Sequence, residues 1–318
     1  MAVKINESQY KDIPAVTLES DELLVTYLPE YGGKMASLIR KKTGREYLVQ
    51  DPGREYRPLA YAGNYEAAEC SGFDDMFPTI DRIYYPAYPW QGVEIPDHGE
   101  VCGLKWDWEI QGDALLMRVH GVRFPYRLQK KIRFRNSRQL SIEYQAENPC
   151  NFDLDFLWAA HLMLNVETGG EIVLPYGEAA PVTCVFASDP GFGSRGGKMD
   201  WPLARRADGG TQDLRLTPPL NPRGNTYKYY FDQKFPEGWC GYRYPSDGSL
   251  FKMLLPADRV PYLCVWVNEG AFHGYRNIAM EACTGTYDRP DLARMYGQNS
   301  VLPAKGQYDW YLDLAIEG

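Results

Sequence analysis

Histidine is the side chain best suited to proton transfer near neutral pH, and the sequence holds only four, at positions 98, 120, 161 and 273. His120 falls inside an alternating strand pattern and His273 inside a turn, so both are interpreted as structural residues. His98 lies in a tight Pro-Asp-His-Gly loop, whereas His161 interrupts an apolar strand. Each of these two is either a satisfied core residue or an active-site residue that faces a pocket.

A glycine-rich segment at 191–196 fits the G-x-G-x-x-G motif of dinucleotide-binding sites. That motif binds pyrophosphate only between a strand and a helix, because the N-terminus of the helix supplies the N–H groups. Here it runs into Gly-Lys-Met-Asp-Trp-Pro, which offers no apolar helix. The segment is therefore interpreted as part of a long loop over 189–210.

Strands, rather than helices, must position the candidate residues. Between 114 and 147, three runs alternate apolar and polar residues with a period of two, which is typical of an antiparallel meander with one buried face. No window of about 12 residues shows a convincing helical period, and a short helix is predicted only over 289–296. The predicted strands are 15–20, 22–28, 34–40, 46–49, 114–124, 127–135, 139–147, 225–231, 238–244, 250–255, 262–267, 277–283 and 308–316.

This pattern indicates an all-β fold, a large antiparallel β-sandwich, in a single domain over residues 1–318. Sandwiches of more than about 200 residues often form one domain. The chain shows no Pro- or Ser-rich linker and no internal repeat that would divide it. It contains 30 glycines and 23 prolines, which favours many turns and short strands.

The composition is that of a soluble globular protein, with 44% hydrophobic and 24% charged residues. The net charge of −8 disfavours binding to nucleic acids and to anionic membranes, because both attract positive charge. The apolar runs are far shorter than the roughly 20 residues of a membrane helix, and no signal peptide is recognisable at the N-terminus. Seven cysteines without a C-x-x-C pair argue against a disulfide framework. We therefore expect a cytoplasmic protein.

Five short motifs, in the right order along most of the chain, resemble those of the aldose 1-epimerase (galactose mutarotase) family. They are 29–38 (PEYGGKMASL), 76–83 (MFPTIDRI), His98-Gly99 with Trp106, His161 with Asn165, and 280–285 (MEACTG). Each motif is short, and it is their common order that makes the resemblance specific.

The resemblance implies a β-supersandwich that opens the hemiacetal ring of a small sugar and recloses it on the other face of C1. It implies roles for four residues: Glu281 as general base, His161 as general acid, His98 as an aid at the ring oxygen, and Arg82 as a ligand of sugar hydroxyls. The set suits the chemistry, because ring opening removes the proton on O1 while the ring oxygen gains one. The reaction involves no redox change, so neither a cofactor nor a metal is expected.

Two further residues are predicted to bind the sugar. Trp106 completes the His-Gly…Trp loop, and Asp232 is matched to an aspartate with which the family binds sugar hydroxyls. An aromatic content of 14% suits such a site, since the C–H faces of a pyranose pack on aromatic rings. Trp90, Trp158 and Trp266 are also close in sequence to the motifs, and each is either a core residue or a sugar platform.

The identity of the sugar stays open, because the residues after His98-Gly99 and after His161 depart from the family pattern. Arg54, Arg57 and Arg82 suit a phosphorylated, sulfonated or uronic sugar, and Arg54 and Arg57 equally suit solvated loop positions. The sequence does not indicate an oligomeric state.

Two other functions remain open. The same sandwich can serve as a non-catalytic carbohydrate-binding protein, since a fold does not determine a function. A metal-dependent sugar isomerase would use His98, Glu100 and His161 as ligands. The first alternative leaves the matched acid and base without a purpose, and the second lacks a His-x-His pair.

Overall fold

The structure is a computed structural model that describes residues 3–177, 179–219 and 224–318. It is an antiparallel β-sandwich with 48% strand and 4% helix, which confirms the predicted fold class. The described elements are β1 (Lys4–Tyr10), β2 (Ile13–Glu19), β3 (Leu23–Leu28), β4 (Lys34–Arg40), β5 (Arg45–Glu46), a 3₁₀ helix (Tyr65–Ala67), β6 (Phe73–Met76), β7 (Ile83–Tyr84), β8 (Glu94–Ile95), a second 3₁₀ helix (Val101–Gly103), β9 (Asp107–Gln111), β10 (Ala114–His120), β11 (Arg127–Asn136), β12 (Gln139–Glu147), β13 (Leu154–Phe156), β14 (Ala159–Asn165), β15 (Glu171–Val173), β16 (Ala180–Ala187), β17 (Lys198–Trp201), β18 (Leu203–Arg205), β19 (Thr211–Asp213), β20 (Thr226–Phe231), β21 (Trp239–Arg243), β22 (Leu250–Leu254), β23 (Tyr262–Glu269), β24 (Arg276–Cys283), α1 (Pro290–Met295), β25 (Ser300–Leu302) and β26 (Gln307–Glu317).

Most of the described strands belong to two sheets. The large sheet has twelve of them, in the order β1-β2-β3-β4-β6-β14-β24-β23-β20-β16-β17, with β5 paired to β4. The small sheet has eight, in the order β15-β21-β22-β26-β12-β11-β10-β9. Neighbouring strands run antiparallel throughout both sheets.

The hydrophobic core lies between the two sheets. Tyr27 and Leu162 from the large sheet and Ile142 and Leu312 from the small sheet are buried in one continuous cluster. Apolar surface removed from water in this way is the main favourable contribution to folding. The small sheet therefore covers one face of the large sheet and leaves the opposite face, called the outer face below, to the loops.

Alternation along the central strands decides which side chains reach the outer face, because successive residues of a strand point to opposite sides. On β14, Ala160 and Leu162 join the core cluster, so His161 and Met163 point the other way. On β24 and β20, Met280 and Tyr229 are core residues. Their neighbours Glu281 and Lys228 consequently lie on the outer face.

The predicted meander is present as β10, β11 and β12, although β10 ends at His120, before the predicted 124. The reason is a tight turn in which Gly121 N–H donates to Tyr126 O. A Cβ at Gly121 would lie only 2.2 Å from Phe124 O, so the chain turns where glycine permits it. The predicted short helix is confirmed by α1.

The prediction of a continuous loop over 189–210 is wrong. β17 pairs with β16, and β18 pairs with β19. Met199 and Trp201 are buried while Lys198 and Asp200 are exposed, which is the alternation of a strand with one covered face. The number of glycines in this segment masked that pattern. The glycines of 191–196 lead into β17 and not into a helix.

Among the described residues, no helix has the length and apolar character needed to cross a membrane.

Candidate functional site

A cavity of about 290 Å³ lies on the outer face of the large sheet, and His98, His161 and Glu281 all line it. The rings of His98 and His161 are perpendicular, with centroids 5.6 Å apart. His161 Nε2 lies 3.9 Å from Glu281 Oε1. The structure thus brings together the three residues that were predicted to be catalytic, and their catalytic role stays a prediction.

Strand register places His161 beside Glu281. β14 pairs with β24 so that Ala159 is opposite Cys283, and two residues further along these antiparallel strands His161 comes opposite Glu281. On the other side of β14, His161 is opposite Asp74 of β6. Three adjacent strands therefore present an acid, an imidazole and a second acid in one row.

His98 comes from the loop between β8 and the second 3₁₀ helix, and its backbone has a left-handed conformation. Its φ is 61°, and that of Gly99 is 76°. A Cβ at Gly99 would lie 2.3 Å from Phe77 O, so this approach is open only to glycine. Non-glycine residues held in this region cost about 1–3 kcal/mol each and cluster at functional sites.

Two contacts orient the His98 ring. Nδ1 lies 2.8 Å from Asp97 Oδ2, and the ring stacks on Tyr65 with centroids 3.8 Å apart and an angle of 5°. Burial raises the pKa of Asp97, but the hydrogen bond from His98 and the positive charges of His98 and Arg82 lower it more, so the net shift is downward. Asp97 is therefore an ionised acceptor, and His98 Nδ1 carries a proton.

Lys228 is a buried cation at the side of Glu281. Its Nζ lies 2.8 Å from Glu281 Oε2 and 2.8 Å from Asp288 Oδ1. Burial lowers the pKa of Lys228, but the two carboxylates raise it more, so the net pKa is well above the ordinary value. The ammonium group therefore keeps its proton. Tyr230 supports the cluster by donating its hydroxyl proton to Asp288 Oδ1 over 2.7 Å.

Burial has opposite effects on the two central groups of the site. It raises the pKa of Glu281, against the opposing charge of Lys228. It lowers the pKa of His161 well below the usual value, and the positive charges of His98, Lys228 and Lys34 lower it further. The His161 imidazole is consequently neutral near pH 7 in the unliganded site. Its implied role as a general acid requires it to gain a proton during the reaction.

Asp81 is a second carboxyl group of the cavity with an altered proton affinity. Partial burial and the charge of Asp288 raise the pKa of Asp81 to about 6. Arg195 Nη2 lies 3.8 Å from Asp81 Oδ2 and compensates its charge only in part. Asp81 is therefore partly protonated near pH 6.

Trp106 does not reach the cavity, and the prediction that it binds the sugar is corrected. Its side chain is fully buried in the core between the sheets. The indole N–H donates to Val101 O over 3.0 Å, and Lys130 Nζ lies 4.7 Å from the ring centroid. Trp106 is close to the His-Gly motif in sequence, but this proximity does not determine on which face of the sheet its ring lies.

Arg82 and Asp232 lie outside the cavity lining, so the cavity gives no support to the prediction that they contact the sugar, which stays a prediction. Arg82 is exposed. Its neighbour Asp81 lines the cavity and its other neighbour is a buried residue of β7, so the Arg82 side chain points to solvent. Asp232 is occupied elsewhere, because its carboxylate accepts hydrogen bonds from Thr183 over 2.5 Å and from Lys198 over 2.9 Å.

The metal set His98, Glu100 and His161 is not assembled in the described residues. Glu100 is buried away from the cavity, where its Oε1 accepts hydrogen bonds from Tyr61 and from Arg123 N–H. A different group of possible ligands does converge among the described residues, namely Cys264, Glu281 and Asp288. The Lys228 ammonium already supplies a positive charge to both of these carboxylates.

The two histidines interpreted as structural differ from each other. His120 is exposed at the end of β10 and takes no part in the cavity lining. His273 lies in the predicted turn, with a φ of 52°, but it also lines the cavity. Its Nε2 lies 2.7 Å from Glu66 O.

Several polar residues of the cavity were not predicted from the sequence, among them Lys228, Asp288 and Tyr65. Lys228 had a usable signal, since it interrupts the aromatic strand Thr-Tyr-Lys-Tyr-Tyr-Phe. A lysine inside a buried strand needs an acidic partner. Asp288 and Tyr65 lie in irregular segments, where no periodic pattern marks them.

Neither a protein-family model nor a curated protein matches the chain. Solved structures do resemble it. The Slr1438 protein from Synechocystis sp. PCC 6803 is 16% identical with a TM-score of 0.69, covering 98% of this chain and 99% of its own. A galactose mutarotase-like protein from Clostridium acetobutylicum is 13% identical with a TM-score of 0.67, covering 99% of each chain. A galactose mutarotase-like protein from Lactobacillus casei is 16% identical with a TM-score of 0.59, covering 95% of this chain and 100% of its own. At these identities the comparison establishes a galactose mutarotase-like fold.

Proposed function

We propose that this protein interconverts the α and β anomers of an aldose by acid/base opening and reclosure of the ring. The observation that carries the proposal is the convergence of Glu281, His161 and His98 in one cavity, with His161 Nε2 only 3.9 Å from Glu281 Oε1. The galactose mutarotase-like fold supports it.

Ring opening needs one group that takes the proton from O1 and one that gives a proton to the ring oxygen. The proton that the two groups share first moves to His161 Nε2, which leaves Glu281 ionised. Glu281 then takes the O1 proton as the C1–O5 bond breaks, and His161 gives its proton to O5, aided by His98. Rotation about C1–C2 then presents the other face of the aldehyde. The same groups act in reverse as the ring closes, so every proton returns to its starting point.

Glu281 and His161 act as a pair that shares one proton. In water an imidazole binds a proton more tightly than a carboxylate by about 2 pKa units, or about 3 kcal/mol. Burial raises the pKa of Glu281 and lowers the pKa of His161, so the two arrangements of the proton come closer in free energy. A reversible shuttle benefits, because neither arrangement becomes a trap.

Trp266 supplies an apolar wall for the sugar. Its ring lies 5.8 Å from the His161 ring at 27° and 5.8 Å from the Phe272 ring, and all three residues line the cavity. Aromatic faces pack well against the C–H faces of a pyranose. Of the four tryptophans considered from the sequence, this one lines the cavity.

The charge of the cavity favours an uncharged sugar over a phosphorylated or uronic one. Its ionisable lining comprises the acids Glu66, Asp81, Asp97, Glu281 and Asp288 and the bases Arg195 and Lys228, besides the histidines. An anionic substrate would meet an excess of negative charge. Arg57, which suited an anionic sugar at the level of the sequence, instead contacts Asp51 at 2.7 Å.

The test is an equilibration assay. Pure α-anomers of uncharged aldoses, and separately of a hexose 6-phosphate and a hexuronic acid, are dissolved with and without the protein and followed by polarimetry or proton NMR. We expect acceleration above the spontaneous rate for an uncharged aldose and little for the anions. Saturable sugar binding without any acceleration would contradict the proposal and favour a non-catalytic carbohydrate-binding protein.

A further inference from the structure

Tyr65 connects His98 and His161 to a buried ion pair. Its ring stacks on His98, and its hydroxyl oxygen lies 3.3 Å from His161 Nδ1. The hydroxyl donates to Asp74 Oδ2 over 2.8 Å, and Lys34 Nζ donates to the same oxygen over 2.6 Å. A chain of contacts therefore runs from Lys34 through Asp74 and Tyr65 to His161.

We propose that Tyr65 is a positioning residue for His161, which holds the proton of the neutral imidazole on Nδ1 and leaves Nε2 free toward Glu281. The catalytic meaning of this inference rests on the proposed function. The location of the proton is a property of the unliganded protein, so it can be measured without any substrate.

The number of available protons determines the direction of each hydrogen bond at Tyr65. A tyrosine hydroxyl has one proton to donate, and Tyr65 gives it to Asp74. Burial raises the pKa of Tyr65 well above its ordinary value, and the charge of Asp74 raises it further, so this proton stays on the hydroxyl. The contact with His161 then leaves the hydroxyl as acceptor and Nδ1–H as donor. In a neutral imidazole this assigns the lone pair to Nε2.

Asp74 is fixed as the acceptor by Lys34. The ammonium group also donates to Glu69 O over 3.1 Å and to Ser71 O over 2.7 Å, so its three N–H bonds are all used. Burial lowers the pKa of Lys34, but the charge of Asp74 raises it more, and the net shift is upward. Lys34 therefore stays charged next to Asp74, and the direction of the Tyr65 hydrogen bond does not reverse.

The consequence for catalysis is that one nitrogen does all the proton transfer. Nδ1 keeps its proton and its acceptor in both protonation states of His161. Nε2, which lies 3.9 Å from Glu281 Oε1, gains and loses the shared proton, so the ring does not turn during the reaction. Tyr65 acts through His161 and His98, and holds the two rings relative to each other.

The direct test is the tautomer of His161 in the wild-type protein. Long-range proton–nitrogen NMR on protein labelled with ¹⁵N-histidine distinguishes a protonated from an unprotonated ring nitrogen, and loss of one signal set in His161→Gln assigns it. We expect a protonated Nδ1 and an unprotonated Nε2 near neutral pH. A proton on Nε2 in the wild-type protein would overturn the inference, whatever the variants show.

The variant test is Tyr65→Phe, which keeps the ring and its stacking on His98 but removes the hydroxyl. We expect His161 to lose its preference for Nδ1–H and kcat to fall by about 10- to 100-fold, the loss typical of residues that orient a metal-binding histidine, with KM little changed. The matched control is Tyr27→Phe. Tyr27 is fully buried, and its hydroxyl has no hydrogen-bond partner among the described residues, so both measurements should match the wild type. An unchanged tautomer and kcat in Tyr65→Phe would overturn the inference.

Failure of the inference and failure of the proposed function give different results. A wild-type protein that accelerates anomer exchange but carries the proton on Nε2 contradicts the role of Tyr65 alone. A wild-type protein that carries the proton on Nδ1 but never accelerates exchange supports the positioning by Tyr65 and contradicts the proposed function.

Discussion

The charge of Lys228 lowers the pKa values of Glu281 and His161, and replacing Lys228 with methionine measures how strongly. Its ammonium lies 2.8 Å from an oxygen of Glu281 and 2.8 Å from an oxygen of Asp288. At an effective dielectric constant of about 20, each contact is worth about 6 kcal/mol of Coulomb attraction, part of which desolvation offsets. Lys228→Met removes this charge and leaves carboxylate oxygens within 4.8 Å of each other, where they repel by about 3 kcal/mol.

The expected result is a shift of the pH–rate profile to higher pH. The positive charge of Lys228 lowers the pKa of Glu281 and the pKa of His161. Without it both groups bind protons more tightly, so the acid limb and the alkaline limb of the kcat/KM profile both move to higher pH. The two apparent pKa values belong to the coupled pair and not to either residue alone. The variant should lose activity on the acid side, where Glu281 becomes protonated, and keep more of it on the alkaline side. The other ionisable groups near the pair, His98, Lys34, Asp74 and Asp288, are unchanged in this variant.

The assay is the anomer-exchange rate between about pH 5 and pH 9, corrected for the spontaneous rate, with thermal unfolding recorded alongside. Lys130→Met is the matched control. Lys130 is a buried lysine 2.7 Å from Asp75 and outside the cavity lining. Breaking either buried pair should cost about 3–5 kcal/mol of stability, but only Lys228→Met should move the profile. A folded Lys228→Met protein with the profile of the wild type would refute the reasoning.

Two further predictions separate cavity residues from structural ones. His98→Asn should lower kcat by about 100-fold or more in the polarimetric assay. His120 is exposed on β10, so His120→Asn should stay near the wild-type rate in the same assay. Equal losses in both variants would argue against a specific role for His98. Trp106→Phe should lower the free energy of unfolding in urea by about 1–3 kcal/mol, since it leaves Val101 O without its donor and opens a gap in the core, while KM stays constant. A raised KM at unchanged stability would instead restore Trp106 as a sugar ligand.

The strands were predictable from the sequence where one face of the strand is exposed to solvent. β11 alternates buried and half-buried residues over most of its length, and β12 does so from Ile142 to Glu147. A period of two in the sequence identifies such strands. β14 is buried on both faces, so its apolar run carries no alternation and its register is invisible in the sequence. β17 was missed because glycine-rich flanking segments outweighed the short alternation of Lys198 to Trp201.

The site was predictable only in part, because strand pairing is a long-range property. His98, His161 and Glu281 were found through the order of short motifs. Lys228 was not, since its relation to Glu281 passes through β23, which lies between β20 and β24 in the sheet. Trp106 was assigned wrongly because proximity to a motif in sequence does not determine the face of the sheet that a side chain covers.

The central claim is that Glu281 takes and returns the anomeric proton. Glu281→Gln tests it most directly, because glutamine keeps the size of the side chain and Lys228 keeps Asp288 as its partner at 2.8 Å. The measurement is the exchange rate of the best α-anomer, followed by polarimetry in a weakly catalytic buffer near neutral pH, with the spontaneous rate subtracted. We predict that kcat falls by about 10²–10⁴-fold while KM changes little. An exchange rate equal to that of the wild type would contradict the claim.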